Sequence, residues 1–364
     1  MKTILIAHNY NRNSISAMSY ELGHHLAELG NRVVFISHKP YLSEKQIIKK
    51  GKGELIICSW SSLNRPTKLA DFLWFYKIYK EYKPDTIIGH FVGSNITAIV
   101  SKIMSFGKTK TLVYYHTLSN AIITDSKISF FKKSALRFRK RVFYNLFCDT
   151  LICPSAMGKL DLEKCFSVKK GIVVLNPMTD RFVNKKTVSD NAIILSYLGR
   201  LDPTKGVVDL IQALKIYYNS VPDSKIKLKI AGSGRDELII NQLIKEEPNI
   251  TFVGGLNYDK IDSFLNESHF NIIPSKFDNL PTVGLESLMN QTPLLISNST
   301  GLTEYLIEGS DCFKFNATID DMVQLFYKVE NCMNSQPDMS IHARQAFLSK
   351  FTMQTYCNEF SKLI

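Results

Sequence analysis

The residues best placed to do chemistry lie in the second half of the chain, where apolar, strand-like runs pass into helical ones. ILSYL leads into Gly199-Arg200-Leu201-Asp202-Pro203-Thr204-Lys205-Gly206 and then into the helical VVDLIQAL. An Arg and a Lys on a loop entering a helix bring two cations to backbone N–H donors and to the positive end of the helix dipole. That combination suits a diphosphate, although the octapeptide alone also reads as a strand-to-helix turn with solvated charges. The next run, KLKIA, ends in Gly232-Ser233-Gly234, where two glycines either let the backbone approach a ligand closely or make an ordinary turn. Further on, Phe270–Pro274 reads as a strand followed by Lys276-Phe277-Asp278-Asn279-Leu280-Pro281 and the helical TVGLESLMN. Asp278 then sits on a loop and Glu286 inside a helix, with the N–H groups of Thr282, Val283 and Gly284 between them. Two such carboxylates could grip hydroxyls on either side of an amide-bound phosphate; an isolated acidic pair at this spacing would equally be surface charge. After PLLIS, the loop Gly301-Leu302-Thr303-Glu304 could reach the same place.

These loops need a scaffold, and the hydrophobic pattern describes one. Short runs rich in Ile, Val, Leu and aromatics alternate with longer segments of helical period, as in a parallel sheet covered by helices. In the first half the pattern predicts strands at Thr3–Ala7, Arg32–Ser37, Leu55–Trp60, Thr86–His90, Thr111–His116, Thr150–Pro154 and Ile172–Leu175. The second half begins the alternation afresh, at Ile193–Leu198, Lys227–Ala231, Ile250–Val253, Phe270–Pro274 and Leu294–Ser297. The turn-rich Asn176-Pro177-Met178-Thr179-Asp180 and the polar stretch beyond it read as a linker. The expected division is an α/β chain of two doubly wound, Rossmann-like domains: residues 1–175, a linker over 176–190, and residues 191–345. In open α/β sheets ligands sit beyond the carboxyl ends of the strands, so two such domains facing each other would hold a ligand in the cleft between them.

With 364 residues the chain can bury two sizeable cores, and its composition is that of a globular protein. No segment approaches the roughly 18 to 20 uncharged apolar residues of a membrane span. The apolar TILIA after Met1 and Lys2 is too short for a secretory signal, so a cytoplasmic protein is expected. Seven cysteines without CxxC spacing read as reduced thiols, and no metal-ligand set is visible. A net charge of +12 favours an anionic partner, whether nucleotide, nucleic acid or acidic lipid.

Taken together, GRLDPTKG, the IAGSG strand-turn, the ITFVG strand and PSKFDNLPTVGLES with its trailing TPLLISNSTGLTEYL resemble the donor domain of the retaining GT-B glycosyltransferases of family 4. The order and spacing of the pieces make the match specific across residues 191–310, whereas the first half matches mainly in its alternation of strands and helices. The resemblance implies that Arg200 and Lys205, on the loop opened by Gly199, neutralise the diphosphate of a UDP- or GDP-sugar. It implies that Glu286 holds the ribose and that Asp278, with the amides of Asn279, Leu280, Thr282 and Val283, holds the sugar. Gly232, Gly234 and Glu304 would complete the donor site. This chain departs from the family pattern in having Asp278 in place of Glu, DNLP in place of a Gly-Phe-Gly form, and Leu302-Thr303 before Glu304. Beyond the nucleotide sugar as co-substrate, no cofactor and no metal is implied.

In the first half, His116 stands at a strand end where the family places a His beside the donor sugar, although a solitary His there is ordinarily structural. Asn13, Ser14 and Ser16, on the loop after the first strand, occupy the place of the family's glycine pair and would face the diphosphate or acceptor. KISFFKKSALRFRKRVFYNLF, if helical, carries Lys132, Lys133, Arg137, Arg139, Lys140 and Arg141 beside Phe130, Phe131, Phe138 and Phe143. Such a helix either lies on anionic lipid or packs its apolar side on the sheet. A second basic cluster, Lys45, Lys49, Lys50 and Lys52, extends that surface or is a solvated loop. Residues 346–364 are expected to form a C-terminal helix packing back on the first domain.

The expectation is therefore a hexosyl- or N-acetylhexosaminyl-transferase acting on a lipid-linked glycan or lipopolysaccharide in bacterial surface-polysaccharide synthesis, such as O-antigen or capsule. It would work peripherally at the inner face of the cytoplasmic membrane. The alternatives are a GT-B relative of another chemistry, such as a sugar-nucleotide epimerase or a sucrose- or trehalose-type synthase acting on soluble acceptors, and a nucleic-acid-binding protein suggested by charge alone. The latter lacks an RNP, KH or zinc-finger module.

Overall fold

A computed structural model describes residues 1–9, 17–37, 45–60, 68–91, 93–119, 130–186 and 191–364. Asn13, Ser14 and Ser16 lie outside the described residues. Contacts divide the chain into two compact units, Met1–Asn176 with Met353–Ile364, and Pro177–Thr352.

The first unit runs β1 (Thr3–Ala7), α1 (Ala17–Glu28), β2 (Arg32–Ser37), β3 (Gln46–Lys50), β4 (Gly53–Ser59), α2 (Leu69–Tyr82), β5 (Thr86–Gly89), α3 (Gly93–Met104), β6 (Lys110–Tyr114), α4 (Phe130–Phe147), β7 (Thr150–Cys153), α5 (Ala156–Phe166) and β8 (Gly171–Val173). The strands form one sheet in the order β3-β4-β2-β1-β5-β6-β7-β8, parallel except for β3. Successive strand residues face opposite sides, so TILIA divides itself. Ile4 and Ile6 pack with α1 and the last helix of the chain, while Leu5 and Ala7 pack with α2 and α3. β2 and β4 divide in the same way, which is why runs apolar at every position form this sheet: both faces are covered. The antiparallel β3 was not foreseen, because its Lys-rich sequence reads as loop. Its Lys49 and Lys50 pair with Glu54 at 2.6 Å and Glu28 at 3.0 Å, and neighbouring Lys45 pairs with Glu81, so these three cations are matched by carboxylates at the surface.

The second unit runs β9 (Ile193–Leu198), α6 (Val207–Ser220), β10 (Ile226–Ala231), α7 (Glu237–Leu243), β11 (Ile250–Gly254), α8 (Tyr258–Asn266), β12 (Phe270–Ile273), α9 (Thr282–Met289), β13 (Leu294–Ser297), β14 (Cys312–Phe315), α10 (Ile319–Asn331) and α11 (Gln336–Lys350). Its all-parallel sheet has the order β11-β10-β9-β12-β13-β14, with the direction of winding reversing between β9 and β12. β14 was also missed; at four residues its apolar run, at the sheet edge, is too short to stand out.

The expected linker is not a free tether over its described part. Met178 donates its N–H to Phe351 O (2.8 Å), Asp180 takes a two-pronged ion pair from Arg344 (2.6 and 2.9 Å), and Lys185 reaches Ser268 O and Thr292 Oγ1. This segment belongs to the second unit. The chain rejoins the first unit at Met353, later than residue 346, and α12 (Met353–Ser361) buries Tyr356, Cys357 and Phe360 in that core.

Candidate active site

In the second unit the loops after β9 and β12 flank the reversal of strand order, where ligands settle in open α/β sheets. β9 and β12 pair at Leu195–Phe270 and Ser196–Asn271, towards the start of β12. The loop carrying Arg200 and Lys205 is held by close backbone contact rather than by side-chain bulk. Gly232 has a φ of +148°, and a Cβ there would lie 1.8 Å from the carbonyl oxygen of Gly199. At Gly234 a Cβ would lie 2.3 Å from Leu201 O, and Leu201 donates to Ser233 O. The two glycines therefore admit the neighbouring loop, which is one reason for glycine at both positions. Gly206, with a φ of +73°, does the same against Pro274 O (2.2 Å to a Cβ), and Lys276 N bonds Thr204 O.

On this brace Lys205 pairs with Asp278, uniting two of the sequence-predicted residues. Arg200 leans on Asp202 at 3.3 Å but keeps 67% of its side chain exposed. Asp202 is buried and caps the turn Pro203–Lys205 by accepting from Thr204 N. α9 begins at Thr282 without a side-chain cap; the Gly284 N–H bonds Pro281 O, which leaves those of Thr282 and Val283 at the helix end, and Asn279 and Leu280 before it are buried. Gly284 lets this helix close on Leu302 of the following loop, where a Cβ would come within 2.4 Å of Leu302 Cδ2. Glu304, two residues on, is exposed.

Glu286 is the least solvated of the predicted carboxylates, 7% exposed, and burial pushes its carboxyl up to about 7 despite a nearby cation. That cation is Arg181, 3.6 Å from Glu286 Oε1, in the segment read as linker. Arg181 is itself fixed: two prongs on Asp262 (2.9 and 3.0 Å), one on Tyr258 Oη (2.6 Å), and its guanidinium over the Tyr258 ring. Asn290 secures Asp262 in turn at 2.9 Å. Nothing in the local sequence around Arg181 marks it, since its partners come from distant helices.

The first unit has its own cluster at the reversal between β1 and β5. His8, His90 and His116 follow the adjacent strands β1, β5 and β6, and β6 stops at Tyr114, short of the expected His116. His8 and His90 stack at 4.1 Å, and His90 lies 3.9 Å from the Tyr114 ring. Phe91, held at a φ of +54°, stacks on His116 at 4.6 Å. Burial drives all three imidazoles toward the neutral form, with His116 down to about 4. His8 and His90 were missed as candidates; His8 directly follows a predicted strand and His90 ends one, and that place at a strand's carboxyl end is the signal that could have found them. Among the described residues no group of three His, Cys, Asp or Glu side chains is arranged to hold a metal ion.

On α4 the side chains sort by face. Leu136, Lys140, Phe143, Tyr144 and Phe147 turn inward, Lys140 lying 6.0 Å over the Phe166 ring, half-buried. The opposite face carries exposed Phe131 and Phe138, with Arg137 and Arg141 along one side and Lys132 and Arg139 along the other. Lys140 thus leaves the expected basic surface, and Lys133 is only partly exposed.

Two doubly wound sheets of this kind define the GT-B class. Sucrose-phosphate synthase from Thermosynechococcus elongatus superposes with a TM-score of 0.77 at 14% identity, covering 100% of this chain and 98% of that one. Anabaena HepE in complex with UDP gives 0.72 at 12%, covering 100% and 99%. Residues 15–181 match the model for Glycosyltransferase Family 4, and residues 178–346 match that for Glycosyl transferases group 1. The chain belongs to the family 4 GT-B glycosyltransferases. Among curated relatives, the capsular polysaccharide biosynthesis glycosyltransferase CapM of Staphylococcus aureus is 24% identical over 49% of this chain and 47% of its own. The chain spans less than half the length of that relative and as little as 28% of others.

Proposed function

We propose that the protein transfers a sugar, with retention of anomeric configuration and without a divalent metal, from a nucleoside diphosphate sugar to a lipid-linked glycan or lipopolysaccharide acceptor at an anionic membrane surface. The observation that carries the donor half is the reversal of strand order between β9 and β12, beside which Arg200, Lys205 and the uncapped start of α9 lie on braced loops and Glu286 is buried on α9. Cations and helix N–H groups held in place before the reaction stabilise charge as it develops on a departing diphosphate. Glu286, once ionised, is suited to accept from ribose hydroxyls, and the Asp278 carboxylate exchanges Lys205 for a sugar hydroxyl when the diphosphate takes the lysine. The donor is a UDP- or GDP-sugar, and the UDP complex of the HepE fold relative supports the former. His116 acts on the sugar during turnover.

The acceptor half rests on α4. Exposed Phe131 and Phe138 flanked on both sides by Lys and Arg match an anionic lipid interface, where rings enter the headgroup region and cations meet phosphates. No helix among the described residues is long and apolar enough to cross a membrane, so contact would be peripheral. The capsular role named for CapM supports a surface-polysaccharide acceptor. The test is a screen of UDP- and GDP-sugars with lipid-linked acceptors in EDTA, scored by nucleoside diphosphate release and by the anomeric NMR signals of the product. Turnover only after a divalent ion is added, or an inverted product, overturns the corresponding part. Turnover with soluble acceptors and no flotation on acidic vesicles would favour the soluble-acceptor alternative.

A further inference from the structure

The histidine cluster of the first unit forms a continuous hydrogen-bonded chain. His8 Nδ1 lies 2.6 Å from Ser19 Oγ, Ser19 Oγ lies 3.0 Å from His90 Nε2, and His90 Nδ1 lies 3.0 Å from His116 Nε2. Ser19, near the start of α1, is fully buried, as are His8 and His90. A neutral imidazole carries one N–H and one lone pair, so between His90 Nδ1 and His116 Nε2 one nitrogen must donate and the other accept. The protonated nitrogen of His90 therefore dictates that of His116. The hydroxyl of Ser19, able to donate once while accepting, can extend this dictation to His8.

We propose that His8, Ser19 and His90 are positioning residues that hold His116 in a single tautomer, Ser19 passing the direction of the chain so that all three imidazoles carry their proton on the same ring nitrogen. In one direction His116 Nε2–H donates to His90 Nδ1, His90 Nε2–H to Ser19 Oγ, and the Ser19 hydroxyl to His8 Nδ1, leaving His8 protonated at Nε2. In the other direction every link reverses and all three rings are protonated at Nδ1. Reversal moves one proton across each link, and the rings stay neutral because His8 Nε2 gives up a proton and His116 Nδ1 takes one in at the two ends of the chain. Whether His116 offers a donor or an acceptor beyond the chain is thus set by residues on three other elements. Stacking on Tyr114 and Phe91 fixes the planes of His90 and His116. Phe91 keeps a left-handed backbone, which a bulky residue adopts only under constraint, in order to cover His116.

The functional part rests on the reading of His116 as a group acting on the sugar, and the experiment separates the two. In the full chain labelled with 15N-histidine, long-range 1H–15N spectra report which ring nitrogen is protonated. Expected is one shared tautomer for His8, His90 and His116, unchanged between about pH 6 and 8.5 because burial keeps the rings neutral. Ser19→Ala should detach His8, leave His90 and His116 averaging between both directions, and lower kcat about tenfold with donor KM changed less than about twofold. His8→Asn, which keeps an amide where Nδ1 was, should lose less kcat than His8→Ala. A His8 tautomer opposite to that of His90 and His116 would mean that Ser19 accepts from both sides, and overturns the proposal without reference to turnover. An unchanged kcat in Ser19→Ala overturns it as well. Wild-type turnover in His116→Ala, with the shared tautomer intact, instead removes the catalytic reading and with it the functional part.

Discussion

Glu286 illustrates how one side chain can tie donor binding to pH. Its carboxyl is raised to about 7 chiefly by burial, with Arg181 opposing the shift and Asp262 adding to it. A carboxyl held above its unfolded value contributes stability that is full below that unfolded value, 4.5, and is lost as the pH rises from there through about 7. Donor binding should run the other way, because only the carboxylate accepts from two hydroxyls. With an intact nucleotide sugar, whose diphosphate does not titrate in this range, affinity should rise about tenfold between pH 6 and 8. Glu286→Gln should bind weakly and lose that slope, and Arg181→Gln should move the slope to higher pH. Calorimetry across the range checks all three, and a wild-type profile flat with pH would show that Glu286 does not titrate on binding. The residue was legible from its spacing after Asp278; its partner Arg181 was not, because the contact joins segments far apart in the chain.

At the scale of elements, both the braced loop and α4 make predictions. Because a Cβ on Gly232 would meet Gly199 O at 1.8 Å on a backbone with a φ of +148°, Gly232→Ala must displace the loop carrying Arg200. It should destabilise the second unit by about 1–3 kcal/mol, visible as a lowered Tm, and should weaken donor binding even where the protein stays folded. Unaltered donor affinity in a folded Gly232→Ala protein would mean that this loop does not position the diphosphate cations. On α4, Phe131→Ser with Phe138→Ser removes two exposed rings. Flotation with vesicles of acidic phospholipid should fall at least about tenfold with thermal stability unchanged, since surface substitutions ordinarily stay within about 0.5 kcal/mol. Wild-type binding should weaken with salt as the basic flanks are screened. Equal flotation of variant and wild type would leave α4 an ordinary surface helix. The composition of α4 was plain in the sequence, but which face met the sheet was not, since Phe and Lys occur on both sides until packing chooses Phe143 and Lys140 for the interior.

At the scale of the whole molecule, the chain builds the first unit from both of its ends. Phe360 is fully buried among Ile4, Ile6 and Val33, and the Tyr356 hydroxyl bonds that of Tyr114 beneath the histidine cluster. Phe360→Ala should therefore destabilise the first unit by about 3–5 kcal/mol. Hydrogen exchange should show lost protection in β1, β2 and β6 rather than in α12 alone; loss confined to the last helix would contradict its place in that core.

Read as a string, the protein already determined much of this. Local periodicity specified nearly every strand of both sheets, because a run buried on both faces must be apolar at each position. The order of GRLDPTKG, IAGSG and PSKFDNLPTVGLES specified the loops of the candidate donor site. Tertiary structure alone decided what touches them: that Gly232 and Gly234 admit a loop, that Arg181 faces Glu286, that Lys45, Lys49 and Lys50 are paired, and that His8 and His90 join His116 through Ser19. The physical reason is common to all four. A strand or helix is chosen by neighbours in sequence, whereas a hydrogen bond, an ion pair or a backbone contact between sheet ends is chosen by strand order, and strand order is set only when the core is packed.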